Sequence, residues 1–295
     1  MIEQFLRRHG DYYNDKKFKD LTTIKMGGEI KHFIMPNNEE DVKEIVDFLR
    51  QNKIDFKVIG NGSNLICGDA SYDGVIISLK KLNTYEIKGQ EVYAQAGVMV
   101  PALANYLAKQ SLSGLEFASG IPGNIGGLIY MNAGAYKAEM ADIIKCVRVL
   151  KGNEIVELDK SELKLSYRYS IFQEHPHWII LSAILEMKKG SSEEIFNLMS
   201  ERLKRRIASQ PLDKPSAGSC FRNPEDNFAW KLIEGIGYRG YRKNDIMVSP
   251  KHSNFIINEG NGSAKDYLDI VYEIIDKVEK EYGIKLILEV EKFNC

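Results

Sequence analysis

Long apolar runs are missing from this chain of 295 residues. No stretch reaches the roughly 18 uninterrupted apolar residues that a membrane-crossing helix needs. The opening MIEQFLRRHG has no basic-then-apolar sequence of a secretory leader, so the expected location is the cytoplasm, with no membrane insertion. Cysteine is scarce: Cys67, Cys146, Cys220 and Cys295 stand far apart and form no CxxC pair, which excludes a disulfide framework and a zinc ribbon. The five histidines lack an HExxH spacing, so no metal site is expected. Charge of one sign is lacking too, with 40 Lys and Arg against 41 Asp and Glu, which argues against a dedicated nucleic-acid binder. The balance is uneven along the chain. Residues 200–251 hold eleven basic and six acidic side chains, and that window is where an anionic ligand is expected. The alternative for most of those charges is a solvated helix face.

What is present begins with clear helix signals. Asn38 can cap a helix over 38–52, with Glu39, Glu40 and Asp41 at its positive end and Val42, Ile45, Val46 and Leu49 on one face. A short strand DFKVIG follows, then GNGSNLI, a turn around Asp73 and Gly74, and a strand at 75–79. The strand EVYAQAG leads to a helix with Pro101 in its first turn. This strand-rich rhythm changes after KKGSS (188–192). There a capped helix carries Ile195, Leu198, Met199 and Ile207 on its apolar face and stops at Pro211, and a domain boundary is placed near 190–205. A last helix over about 263–281 starts at Ser263, and a strand IKLILEVEKF ends the sequence.

Two glycine-rich stretches are the strongest local signal. GNGSNLI (60–66) follows a strand and could turn several N–H groups toward one anion. GIPGNIGGLIYMNAGAY (120–136) is denser and flanked by apolar residues, as a buried segment would be. Neither is a Walker loop, and neither is a Rossmann GxGxxG. Dinucleotide binding and simple close-packed turns both remain open for them. A third stretch, PSAGSCFRNP (215–224), sets a hydroxyl beside a thiol. On a strand their side chains point to opposite faces, so only one of Ser219 and Cys220 can meet a ligand.

Read in order, GNGSNLI, GIPGNIGGLIYMNAGAY, SYRYSIF (166–172), AGSCFRNP, KHSNFIIN (251–258) and an LxxEV ending (286–290) resemble the UDP-N-acetylenolpyruvoylglucosamine reductase family over nearly the whole chain. The resemblance implies an α+β, three-domain FAD-binding fold of the vanillyl-alcohol-oxidase-like (PCMH-type) class with a separate α/β substrate domain. The segments would be 1–80 joined by 284–295, then 81–195, then a substrate domain over 196–283. It implies NADPH-dependent reduction of the enolpyruvyl ether of UDP-N-acetylglucosamine-enolpyruvate through FAD, in peptidoglycan synthesis. No oligomer is required. The roughly fifty residues between Arg168 and Ser219 resemble the type II form.

Carried onto this sequence, the family's acid falls on Ser219, its carboxylate-binding arginine on Arg168 and its glutamate on Glu289. Cys220 is then a small buried hydrophobe. FAD would lie against Gly60, Asn61, Gly62, Ser63, Asn64 and Leu65, and against Gly120, Ile121, Pro122, Gly123, Asn124, Gly126, Gly127, Asn132, Ala133 and Gly134. Neither glycine loop carries a histidine, so the flavin is expected to be non-covalent. Tyr167, Arg222, Asn223, Lys251 and His252 are the candidates for the UDP-sugar. YRKNDIMVSPKHSNF departs from the family by lacking a glycine before its VS–KH turn. The alternatives are another flavin-dependent oxidase acting on a sugar or alcohol, and a non-catalytic nucleotide-binding module.

Overall fold

Capping and periodicity place the long helices where the sequence puts them. In the computed structural model, which describes residues 2–295, the helix Glu39–Gln51 is capped by Asn38, whose side chain accepts the Asp41 N–H, and it buries Val42, Ile45, Val46 and Leu49. The helix Val100–Lys109 carries its proline in the first turn. The helix Ala264–Tyr282 is capped by the Ser263 hydroxyl and ends on Gly283, whose φ of 68° is the left-handed conformation that glycine adopts without penalty.

The chain divides into two compact units, each assembled from discontinuous segments. The first comprises the N-terminal residues through Asn14, His32–Asn61 and Gly74–Lys204. A five-stranded antiparallel sheet lies within it, ordered Glu154–Asp159, Ile144–Lys151, Ile179–Glu186, Glu91–Gln95, Tyr85–Lys88. Ile179–Glu186 is buried at six of its eight positions, as expected of a central strand covered on both faces. In the second sheet the strand Phe56–Ile59 pairs in parallel with Tyr72–Ser78. Asp73 and Gly74 therefore lie inside a strand, not in the expected turn. The nearly continuous burial of this strand, exposed only at Asp73, outweighs the turn propensity of an Asp-Gly pair.

The second unit gathers Asp15–Lys31, Gly62–Asp73 and Arg205–Cys295. Its sheet runs Ser216–Ser219, Phe255–Asn258, Ile246–Val248, Arg242–Lys243, and the helix Ala264–Tyr282 packs Tyr267, Ile270, Val271, Ile274 and Val278 into its core. The expected terminal strand is much shorter than IKLILEVEKF. Only Glu291–Phe293 is a strand, parallel to Leu65–Cys67, and Leu288 makes an isolated bridge to Phe221.

The helix Ser192–Ser209 exists as expected, but its apolar face is narrower than its sequence suggests. Ile195 and Met199 are buried, while Leu198 and Ile207 are 38% and 53% exposed. Pattern alone does not tell which turns of an amphipathic helix find a partner.

Candidate active site

The first glycine loop leaves the strand Phe56–Ile59 and closes tightly on the second. A Cβ on Gly60 would lie 2.6 Å from the Asn124 Oδ1, and the Asn61 side chain donates to the Pro122 carbonyl at 2.8 Å. Gly62 sits at φ 66°, where an added Cβ would meet the Leu21 carbonyl oxygen at 2.2 Å; both conformation and space demand glycine. Its own carbonyl accepts from the Thr23 N–H at 3.1 Å. Among the described residues, the N–H groups of Gly62, Ser63 and Asn64 donate to no acceptor within the protein. Consecutive outward N–H groups of this kind form an anion-binding concavity. Asn64 ties the loop to the end of the chain: its side chain donates to the Glu289 carbonyl at 3.0 Å, and its carbonyl accepts the Glu291 N–H at 2.9 Å.

In the second stretch the glycines serve close packing more than donation. The N–H groups of Gly123, Ile125 and Gly126 go to the carbonyls of Ile121, Val98 and Ala96, and the Gly127 N–H goes to the capping Asn124 side chain at 3.2 Å. A Cβ on Gly126 would stand 3.0 Å from that of Ala96, and one on Gly134 would stand 2.7 Å from the Ala138 carbonyl oxygen. Gly120 and Ile121 are half-buried at the start of this stretch. Asn132 is fully buried and braces the segment, donating to the Ser166 carbonyl at 2.8 Å and accepting the Ala141 N–H at 2.9 Å. Ala133 closes the helix end on the Leu128 carbonyl. Glycine is required at Gly126 and Gly134 by the close approach of other protein atoms.

Arg168 occupies an uncommon conformation. Ser166 and Tyr169 exchange both backbone hydrogen bonds, making Tyr167 and Arg168 the two central residues of a tight turn, and Arg168 has φ 56°. A left-handed residue at the second central position is usually glycine or asparagine, and an arginine there costs on the order of 1–2 kcal/mol. The guanidinium donates to the Gly134 carbonyl at 2.8 Å and lies over the ring of Tyr167, itself 49% exposed.

Ser219 ends the strand Ser216–Ser219. Against the neighbouring strand Ser216 pairs with Ile257 and Ser219 with Phe255, so three steps on one side face two on the other. The extra residue is a β-bulge, with Gly218 in it at φ 82°. The strand does not run on through Cys220, as the simple alternation argument assumed. The two side chains separate all the same: Ser219 is half-buried and Cys220 fully buried. Burial pushes the Cys220 thiol up to about 12, and the neighbouring Tyr267 hydroxyl opposes only part of that rise. Cys220 is therefore a neutral core residue. Glu289 is held on adjacent backbone, its N–H donating to the Cys220 carbonyl at 2.8 Å beside the Phe221–Leu288 bridge.

The remaining candidates flank this backbone. The Arg222 N–H donates to the Ile287 carbonyl, and its Nε is buried without a protein partner among the described residues. Asn223 accepts the Ala229 N–H at 3.1 Å. Lys251 is exposed and donates to the Ile207 carbonyl. The His252 ring accepts the Asn254 N–H at 3.3 Å, and burial pulls its pKa below the ordinary histidine value, so near neutral pH it is uncharged. The structure thus unites Ser219, Glu289, Arg222 and the 249–255 turn within the second unit, and Arg168, Tyr167 and Gly134 within the first. Sequence reasoning overlooked Asn254, 4% exposed, whose side chain bonds to the Phe221 backbone twice. An asparagine interrupting the apolar run NFII was the available signal.

A loop of donor N–H groups and a stretch of tightly packed glycine backbone are each part of the equipment of a nucleotide-cofactor protein. Residues 30–159 match the model of the FAD binding domain, which places the chain in the FAD-binding class that the vanillyl-alcohol-oxidase-like fold represents. Residues 210–293 match the C-terminal domain of UDP-N-acetylenolpyruvoylglucosamine reductase. The chain is 42% identical over 286 residues to the UDP-N-acetylenolpyruvoylglucosamine reductase of Caldanaerobacter subterraneus subsp. tengcongensis, covering 96% of this chain and 94% of that one. It is 44% identical to the reductase of the same name from Carboxydothermus hydrogenoformans, over 92% of this chain and 90% of that one. The crystal structure of the corresponding reductase from Thermus caldophilus superimposes with a TM-score of 0.81 at 34% identity, covering 96% of this chain and 98% of that one. The chain belongs to the UDP-N-acetylenolpyruvoylglucosamine reductase family.

Proposed function

We propose that this protein reduces the enolpyruvyl ether of UDP-N-acetylglucosamine-enolpyruvate to UDP-N-acetylmuramate, with NADPH as hydride donor and FAD as carrier, in bacterial peptidoglycan synthesis. The observation that carries this reading is the placement of Ser219 and Glu289 on neighbouring backbone, joined through Cys220 and the Phe221–Leu288 bridge, in a chain of this family. The glycine loops fit a flavin nucleotide. The free N–H groups of Gly62, Ser63 and Asn64 suit its diphosphate, while Gly60, Gly126 and Gly134 let the surrounding protein backbone and side chains pack closely. FAD, which the residues of the two glycine loops would hold without a covalent bond, would supply the hydride chemistry between NADPH and the methylene carbon of the enolpyruvyl group.

The chain's own groups do the rest. The Ser219 hydroxyl gives a proton to the adjacent carbon, which becomes electron-rich as the hydride arrives. A serine is a weak acid, so its effectiveness comes from being held within reach of a strong base. The Arg168 guanidinium presents a rigid fork that matches the substrate carboxylate as that group gains enolate character, and the turn that strains its backbone also fixes its direction. Glu289 acts with it in orienting the carboxylate. Arg222, Asn223, Lys251 and His252, with Tyr167, receive the UDP-sugar, whose diphosphate suits the basic surplus of residues 200–251.

The same reading sets the reaction in the cytoplasm; no helix among the described residues is long and apolar enough to cross a membrane. It also keeps the three-part division 1–80 with 284–295, 81–195 and 196–283. The pairing of Glu291–Phe293 with Leu65–Cys67 ties the chain end to residues 62–73, which share a compact unit with residues 205–295. An anaerobic titration tests the proposal. The purified protein is expected to be yellow, to bleach with NADPH and to recover its colour with the enolpyruvyl UDP-sugar. Ser219→Ala should bleach at the parental rate and recover very slowly. A colourless protein, or equal recovery by variant and parent, overturns the assignment.

A further inference from the structure

Beyond Cys220 the acid-bearing segment keeps backbone pairing with residues 287–289 on one side but loses its strand partner on the Phe255–Asn258 side. Pairing with Phe255–Asn258 stops at Ser219 opposite Phe255, and the bulge at Gly218 has already broken the register. Strand ends of this kind fray unless something replaces the missing hydrogen bonds. Here the replacement is one buried side chain. The Asn254 Oδ1 accepts the Phe221 N–H at 2.9 Å, its Nδ2 donates to the Phe221 carbonyl at 2.8 Å, and its backbone carbonyl accepts the Cys220 N–H at 2.7 Å. A side-chain amide offers the same donor and acceptor as a peptide group, so Asn254 extends the sheet by one step where no strand remains.

That step holds the two residues following Ser219, and those same residues hold Glu289. The Cys220 carbonyl accepts the Glu289 N–H at 2.8 Å, and Phe221 bridges Leu288. We infer that Asn254 is a positioning residue for Ser219, fixing the backbone from which the serine reaches the substrate carbon and on which Glu289 rests. The inference rests on the reaction proposed above. A misplacement of about 1 Å can cost on the order of a hundredfold in a step that depends on proximity.

An isosteric variant separates positioning from simple support of the fold. Asn254→Asp keeps the oxygen that faces the Phe221 N–H but sets a second oxygen against the Phe221 carbonyl, where the amide donated. When protonated, the new carboxyl supplies that donor again. The site is nearly closed to solvent, which favours the neutral acid and lifts its pKa above the usual aspartate range of about 4. The titratable groups nearest it are Glu289, His252, Cys220 and Tyr267, with Glu234 bonded to the adjacent Ser253 and Arg239 bonded to Glu234. Cys220 and Tyr267 stay neutral at any working pH because burial raises both. The acid form predominates below its pKa, so function should return as pH falls.

The experiment follows colour recovery of NADPH-bleached holoenzyme on adding the enolpyruvyl UDP-sugar, across a pH series. Asn254→Asp should recover about 10- to 100-fold more slowly than the parent at high pH, with the variant-to-parent deficit shrinking at least about fivefold toward pH ~5.5. Bleaching by NADPH should stay within about twofold of the parent throughout. In a second arm, Asn254→Ser should slow recovery by a clearly smaller factor in a Ser219→Ala background than in the parent, because only the support of Glu289 is then left to disturb. A deficit independent of pH, equal slowing of bleaching and recovery, parental recovery, or a full multiplicative loss in the double variant overturns the inference. Recovery of the parent tests the reaction itself; the variant-to-parent ratios test Asn254.

Discussion

Gly218→Ala probes the bulge that aims Ser219, and its cost can be worked from the structure. An added Cβ would find its nearest neighbour, the Ser63 carbonyl oxygen, at 3.9 Å, so there is no collision. The φ of 82° is the whole difficulty. Holding an alanine in that region costs about 1–2 kcal/mol. The stiffer unfolded chain returns about 0.4–1 kcal/mol, leaving a net loss near ~1 kcal/mol. For units of this size that lowers Tm by roughly 2–4 °C. If alanine instead relaxes the bulge, the register shifts by one residue and Ser219 turns to the other face of the strand. The expected result is a small fall in Tm by calorimetry, a colour recovery slowed at least about tenfold, and unchanged bleaching by NADPH. Gly218→Asn, which tolerates the left-handed region, should fall between parent and alanine. A Tm drop beyond about 8 °C would show a steric origin, and parental Tm with parental recovery would show that the bulge does not need glycine; either refutes the reasoning.

Two further outcomes follow from the same geometry. Gly60→Ala places a Cβ 2.6 Å from the Asn124 Oδ1, which caps the helix Ile125–Tyr130, so displacing that side chain should cost about 0.5–2 kcal/mol and release FAD, read as Tm and as flavin absorbance after gel filtration. Arg168→Gly removes the strained left-handed arginine and with it the hydrogen bond to Gly134, two changes of similar size and opposite sign; Tm should stay within about 2 °C while recovery with substrate falls at least about a hundredfold.

Local physics was legible in the sequence wherever a single side chain decides a local outcome. Asn38 and Ser263 mark helix starts because a short polar side chain can reach an unpaired N–H, and the structure shows both doing so. The buried state of Cys220 was also readable beside its half-buried neighbour Ser219. What escaped depends on partners distant in the sequence. The shortening of the last strand to Glu291–Phe293 is set by pairing with Leu65–Cys67, more than two hundred residues away, and no local period reports that. Leu198 and Ile207 obey helical spacing yet remain exposed, because spacing says which face a residue shares and not whether anything covers it. The bulge and Asn254 were missed together. Each replaces a regular ladder bond, and irregular pairing leaves no repeating pattern in the sequence.

The parallel strand pair has a consequence for how the protein is made. Leu65, Ile66 and Cys67 are buried in the finished molecule, yet their partner strand Glu291–Phe293 leaves the ribosome only after more than two hundred further residues. At typical elongation rates of about 5–20 residues per second, this apolar segment waits on the order of tens of seconds with an open edge. During translation, that interval is when the nascent chain most needs shielding from its neighbours.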